Sequence, residues 1–219
     1  MNYLKYGPEQ IPMPVYIIHG AIHEKHASEI TQHCVPRLEN GGHFREEKGT
    51  FTTDQHLTRN SDVHFFSDEV LERRMFGFAK AASHALGLEY ELTCSEDFQF
   101  TSYEVKRKQH YGWHIDGEPN VSNVRRWTGG APPKNMAETM DPLLSGTVRK
   151  LSASIILNED FEGGEMRFRW FADEIKESKV LAKKGDAIFF PSALQHMVSP
   201  VTKGTRYSIV KWFGGPPVR

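Results

Sequence analysis

From Asp97 onward the chain is written almost entirely in short β-rich runs, separated by Gly, Pro and Asn, and this pattern restricts the fold more than any other feature. The runs are Phe98 to Val105, Leu151 to Leu157, Glu165 to Trp170, Asp186 to Phe190, His196 to Val201 and Arg206 to Phe213. Many short strands at such spacing predict a sandwich or barrel. A double-layer jelly roll is the version that leaves a pocket between its sheets.

The first half reads differently. Met13 to Ile18 is an apolar stretch rich in β-formers, and Ala21 to Val35 reads as a polar-faced helix that stops before Pro36. Glu39 to Arg59 carries no sustained period and reads as loop or irregular hairpin. Ser67 to Leu86 predicts a second helix, with Ser67 or Asp68 as N-cap, Gly87 as the stop, and Val70, Leu71, Met75, Phe78, Ala82 and Leu86 on one stripe. Residues 119–146 contain Gly129-Gly130, Pro132-Pro133 and Pro142 with little periodicity. A stretch of that kind is expected to be a lid or insertion loop.

The 219 residues fit one domain: residues 1–96 as helical and strand support, 97–219 as the β core, and 119–146 inserted into it. Lys+Arg total 27 against Asp+Glu 28, so no global field would collect nucleic acid or an anionic membrane. Cys34 and Cys94 are too few for a disulfide framework or a thiolate zinc site, which favours a reducing compartment. The longest apolar stretch near the N-terminus, Val15 to Ile18, is far below the roughly 20 residues of a membrane span. The expectation is a cytoplasmic protein without a membrane partner.

Five dispersed residues carry the chemistry. In a strand, residues i and i+2 share a face, so His114 and Asp116 of Trp113-His114-Ile115-Asp116 can project together while Ile115 packs outward. Alone, such a pair also fits a surface hydrogen bond. His196, at the start of a β-like run, supplies the third ligand, and two imidazoles with one carboxylate on one face of a metal are the open set that non-haem Fe(II) uses. The four histidines near the first helix lack a paired carboxylate. His19, His23, His26 and His33 read as solvated or capping, and His110 as a loop residue. Arg206 follows His196 across a turn marked by Pro200 and Gly204, and Ser208 shares its strand face. A guanidinium fork beside a hydroxyl is a receptor for a carboxylate. Ser152 and Ser154 alternate with apolar residues and read either as further polar lining or as core hydroxyls bonded to backbone.

These residues sit in segments that resemble the Fe(II)- and 2-oxoglutarate-dependent dioxygenases, specifically the prolyl 4-hydroxylase-like branch that includes the PKHD-type hydroxylases. Tyr111-Gly112-Trp113-His114-Ile115-Asp116 is similar to that branch's Tyr-x-x-His-x-Asp, and Phe161-Glu162-Gly163-Gly164-Glu165-Met166 to its Gly-Gly-Glu turn. Gly185 to Pro191, His196 to Val201, and Gly204 to Trp212 complete the resemblance, which spans about half the chain. It implies an α+β, mainly β fold: a double-stranded β-helix (jelly-roll, cupin-like) core with N-terminal supporting helices.

It further implies Fe(II) on His114, Asp116 and His196, with 2-oxoglutarate and O2 as cosubstrates and ascorbate admitted as a reductant. Arg206 would hold the distal carboxylate of 2-oxoglutarate, helped by Ser208 or Ser152. Tyr103 would contact the cosubstrate, and Tyr111 and Trp212 would line the substrate cleft. Tyr103 lies farther from His114 than is usual in the family, Lys106-Arg107-Lys108 stands where a glycine turn is usual, and Tyr111 reaches the pocket only if its strand bends. The implied reaction is hydroxylation of a prolyl residue in a protein or peptide, with succinate and CO2 released. A free amino acid or small metabolite is the rival substrate, and a non-catalytic, cupin-like metal-binding module is the rival class. The second arginine that nucleic-acid demethylases carry shortly after the first is missing, although Lys106 to Lys108 and Arg125-Arg126 could meet a local acidic partner.

Overall fold

The computed structural model describes residues 13–40, 59–120, 124–129, 138–139, 141–171 and 175–218. The first part of the chain forms β1 (Tyr16–Ile18), α1 (Glu24–Cys34), β2 (Glu39–Asn40), β3 (Arg59–Asn60), β4 (Asp62–Phe66) and α2 (Glu69–Ala85). The second part forms β5 (Cys94–Ser95), β6 (Phe98–Glu104), β7 (His110–His114), β8 (Arg126–Trp127), β9 (Glu138–Thr139) and β10 (Val148–Ile156). Then follow β11 (Phe161–Gly163), β12 (Met166–Phe171), β13 (Ile175–Val180), β14 (Ala187–Pro191), β15 (Gln195–Val198) and β16 (Val201–Gly215).

All the strands except the β8–β9 pair build two antiparallel sheets. The larger has the order β1-β14-β10-β16-β6-β4-β2, with β5 and β11 also pairing with β16, and the smaller has the order β13-β12-β15-β7-β3. This is the jelly-roll core, α+β and mainly β, that the short runs predict. Two layers arise because the central strands are apolar on both faces, with a different neighbour on each. On β10, Leu151, Ala153 and Ile155 join a cluster with Ala27 and Ile30 of α1 and Leu71, Met75, Ala79 and Ala82 of α2. Ile156 turns to the other side and packs with Phe168, Ile188 and Phe190 between the sheets. β14 alternates likewise, Phe189 toward the helices and Phe190 into the interior. On β16, Ile209 and Phe213 face the helices, whereas Arg206, Ser208, Val210 and Trp212 line a cavity on the opposite face.

Both helices are set by their caps. Asp68 accepts from the backbone N–H groups of Val70 and Leu71, so α2 starts at Glu69. His23 caps α1 through Nδ1, which accepts from Lys25 N–H. Val70 departs from the expected stripe and is 61% exposed; Ala79 and Ser83 take the buried positions. β13, Ile-Lys-Glu-Ser-Lys-Val, carries too little apolar content to be read from sequence and forms because it pairs with β12 along its whole length. Within 119–146, the described residues include β8 and β9, which pair in parallel, and a short 3-10 turn at Pro142–Leu144, so this stretch is more regular than its composition suggests. Of the segment expected to be loop, 41–58 lies outside the described residues, and its two ends are strands β2 and β3. No helix among the described residues is long and apolar enough to cross a membrane.

Phe168 ties the interior to the smaller sheet. It is fully buried, packs edge-on against Phe190 with ring centres 5.0 Å apart, and lies opposite His196 in the β12–β15 register. Phe168→Ala is expected to lower stability by about 3–5 kcal/mol, read as a shift in the urea midpoint at unchanged slope.

Candidate metal and carboxylate site

His114 and His196 face each other directly across the β7–β15 pair, with ring centres 4.1 Å apart. β7 ends at His114, so Asp116 stands just past the strand rather than within it. Its position is fixed from elsewhere. The backbone N–H groups of Asp116 and Gly117 both donate to the carbonyl of Ser192, at 2.8 and 3.2 Å, in the turn after β14. Ile115, between His114 and Asp116, is 38% exposed and lines the edge of the same cavity.

The resulting triad has the geometry of a ligand set. Nε2 of His114 lies 3.6 Å from Asp116 Oδ1, and Nε2 of His196 lies 3.5 Å from Oδ2. All three ligand atoms fall within 4.8 Å of one another, a spacing suited to a shared ion at roughly 2.0–2.2 Å from each. Each imidazole is oriented by its own backbone. Nδ1 of His114 is 2.8 Å from the Gly112 carbonyl, and Nδ1 of His196 is 2.8 Å from the Leu194 carbonyl, two residues upstream in both cases. A carbonyl only accepts, so Nδ1 carries the proton and Nε2 offers its lone pair to the cavity.

Electrostatics agree with that tautomer. Burial pushes the His196 ring down to about 4 against the opposing pull of Asp116, which keeps it neutral. Burial works to raise the Asp116 carboxyl, but His196, His114 and Arg149 outweigh it and hold the group well below the usual carboxylate range. A buried carboxylate whose Oδ2 has no hydrogen-bond partner, beside two imidazole Nε2 atoms, is a donor set that fits a divalent first-row ion such as Fe(II).

Arg206 lies across the cavity on β16, fully buried. Its Nη1 donates to Ser208 Oγ at 2.7 Å, while Nη2 has no partner. The unpartnered nitrogen is where an incoming carboxylate would bind. Tyr103 is opposite Arg206 in the β6–β16 register, and the guanidinium lies 5.6 Å from its ring centre. Gly164 makes room for this side chain: it is left-handed at φ +60°, and a Cβ there would stand 2.9 Å from Arg206 Cδ. This gives the Gly-Gly-Glu turn a physical reason. Ser208 stands beside Arg206 as expected. Ser152 does not: its hydroxyl bonds to Ser192 Oγ at 2.9 Å, and Ser154, one alternation along, lines the cavity in its place.

Tyr111 reaches the pocket because its strand does bend. The β7–β15 register shifts between His196↔His114 and Val198↔Tyr111, a bulge that turns Tyr111 inward and stacks its ring on His114 at 3.5 Å. Burial pushes its hydroxyl up to about 12, so it stays protonated. Trp212 forms another wall, with the Arg149 guanidinium 4.0 Å from its ring centre. The cavity enclosed by these residues measures about 370 Å³.

Sequence reading missed three groups here. Arg59, on the two-residue β3, is buried over Tyr111 with its Nη2 unpartnered; Arg149 and Glu96 form an ion pair at the rim. A lone arginine beside an unpatterned segment gives no signal of this placement. One residue of each expected basic patch is committed to an ion pair, Arg107 with Asp62 and Arg125 with Glu96. Lys108, in left-handed conformation at φ 50°, takes the role of the missing glycine turn.

Comparison with known proteins identifies the family. A family model described as the 2OG-Fe(II) oxygenase superfamily matches residues 98–214. A PKHD-type hydroxylase of Janthinobacterium sp. (strain Marseille) is 35% identical over 106 residues, which are 48% of this chain and 38% of that protein. The match therefore spans well under half the length of that relative. Among solved structures, the viral collagen prolyl hydroxylase of Paramecium Bursaria Chlorella virus-1 superposes with a TM-score of 0.59 at 17% identity, covering 93% of this chain and 97% of that one. A prolyl hydroxylase from Trichoplax adhaerens, in complex with a hypoxia inducible factor oxygen degradation domain peptide fragment, gives 0.54 at 16% identity, covering 91% and 83%. At these identities the structural likeness speaks for the fold. The family model covers more than half of the sequence and includes every residue of the triad and the clamp, and on that ground the chain belongs to the 2OG-Fe(II) oxygenase superfamily.

Proposed function

We propose that this chain hydroxylates a C–H bond of a prolyl residue in a protein or peptide, consuming 2-oxoglutarate and O2 and releasing succinate and CO2. The observation that carries the reading is the convergence of unpartnered buried groups on one cavity. Asp116 Oδ2, Arg206 Nη2 and Trp212 Nε1 all lack a hydrogen-bond partner, and all three residues line it. Buried polar atoms without partners are uncommon, and here they mark where ligands complete the site.

His114, Asp116 and His196 would hold Fe(II), which supplies oxygen activation when bound. Arg206, steadied by Ser208, binds the distal carboxylate of 2-oxoglutarate and so fixes which end of the cosubstrate faces the triad. Tyr103 closes that end of the cavity. Tyr111 and Trp212 line the part of the cavity in which a pyrrolidine ring would sit, and Val63 and the 54% exposed Phe65 extend an apolar rim on which a peptide would lie. The likeness to a prolyl hydroxylase in complex with a peptide is consistent with such a substrate.

A second reading, a free amino acid, has its own support in Arg59. Its unpartnered guanidinium is a further cation in the cavity, suited to the carboxylate of a small acid.

Three outcomes test these assignments. Anaerobic addition of Fe(II) and 2-oxoglutarate should produce a visible charge-transfer band, and Asp116→Ala should lose both the band and succinate formation; full activity in that variant removes Asp116 from the site. Arg206→Met leaves a carboxylate without its charged partner, a loss of about 2–5 kcal/mol. The KM for 2-oxoglutarate should therefore rise at least about thirtyfold. Arg59→Met separates the substrate classes: with proline-containing peptides the mass gain of 16 Da should persist at near wild-type rate, whereas hydroxylation of a free amino acid should collapse.

A further inference from the structure

Glu96 follows β5 and belongs to neither the triad nor the clamp. Its carboxylate is committed to two arginines at once. Oε1 accepts from Arg125 Nη1 at 2.5 Å and from Arg149 Nε at 2.7 Å, and Oε2 accepts from Arg149 Nη2 at 2.5 Å. Arg149 is thus gripped in fork-to-fork fashion, the geometry that best fixes a guanidinium plane. The one nitrogen of that plane left over, Nη1, donates to the backbone carbonyl of Asp116 at 3.2 Å. The same plane lies over the Trp212 ring at 4.0 Å. Contact with the turn after Asp116 is close, because a Cβ on Gly117 would stand 2.9 Å from Arg149 Cβ.

Asp116 is therefore held from both sides of its peptide unit. Ser192 takes the N–H groups of Asp116 and Gly117, and Arg149 takes the Asp116 carbonyl. The first hold is backbone to backbone and follows from the fold. The second depends on a long side chain with four rotatable bonds, which Glu96 immobilises. The remaining face of Glu96 reaches Arg125, whose backbone is bonded to Thr147 and Gly146 at the base of the inserted stretch.

We propose that Glu96 is a positioning residue for the iron site: by locking the Arg149 fork it sets the backbone of the ligand Asp116 and the tilt of the Trp212 wall. This rests on the iron reading of His114, Asp116 and His196. A group outside the ligand set that orients a ligand typically contributes tenfold to a hundredfold in metal affinity. A purely structural ion pair would affect folding and leave metal affinity alone.

The test is an anaerobic Fe(II) titration of the full chain in saturating 2-oxoglutarate, read by the charge-transfer band, with the melting temperature of the metal-free protein measured in parallel. Glu96→Gln keeps the shape and removes the charge; it is expected to raise the Fe(II) Kd about tenfold. Arg149→Lys keeps the charge and loses the fork, and is expected to do the same. The double variant should be no weaker than the worse single one, because the two residues act through one contact. Co(II) bound in place of iron should show altered visible absorption in Glu96→Gln. A Glu96→Gln protein that binds Fe(II) within twofold of wild type overturns the proposal. If Glu96→Gln does not fold, Arg149→Lys decides on the same criterion. Failure of the iron reading would look different, since wild type itself would then give no band.

Discussion

The pairing of β7 with β15 is the constraint on which the rest of the site depends. It puts His114 opposite His196, and in antiparallel strands a directly opposed pair is the closest approach that two side chains on different strands can have. Everything else is built around that contact. β12 pairs with the far edge of β15 and places Phe168 behind His196, and the larger sheet faces the pair with Arg206 and Tyr103. A slip of one residue in the β7–β15 register would turn one imidazole out of the cavity. The bulge between His114 and Tyr111 shows the register being interrupted only beyond the ligand, where the extra residue brings an aromatic ring inward instead of displacing a metal donor.

Much of this was legible in the chain, because the informative patterns are local. Period-2 alternation in Leu151 to Ile156 separates a helix-facing row from an interior row, and both rows are where the alternation puts them. The His-x-Asp and Arg-x-Ser spacings likewise identify residues that line one cavity, from its two sides. Less legible were features set by distant partners. Asp116 lies off the strand because its N–H groups are claimed by Ser192, and Ser152 is turned aside by the same residue. Arg59, Arg149 and Glu96 occupy their places through tertiary pairing, and no spacing rule links positions so far apart in sequence. Val70 had the right period but the wrong edge of the helix face, since the packed stripe is centred on Met75 and Ala79.

Charge is distributed so that the cavity keeps its capacity for ligands. Glu96 pairs with both Arg149 and Arg125, and although burial works to raise its carboxyl, the two guanidinium groups hold it below the usual carboxylate range. Arg206 bonds to the neutral hydroxyl of Ser208 and, among the described residues, pairs with no carboxylate, which leaves its charge for an incoming anion. Burying a cation in that state costs stability, and such a cost is the usual companion of a binding group that is complete only when occupied.

The two carbonyls that hold Nδ1 of His114 and His196 bear on how the site handles metal over time. Because each ring is fixed by main chain two residues upstream, its orientation does not depend on an ion being bound. Loss of a metal would leave the donors aimed at the same point, so uptake of another requires no search among rotamers and little reorganisation. The same rigidity makes the pocket indifferent at the imidazole positions to which divalent ion arrives first. Discrimination in favour of iron then falls to the supply of metal and to the affinity that a chelating cosubstrate would add, were its far end bound by Arg206 on the opposite sheet.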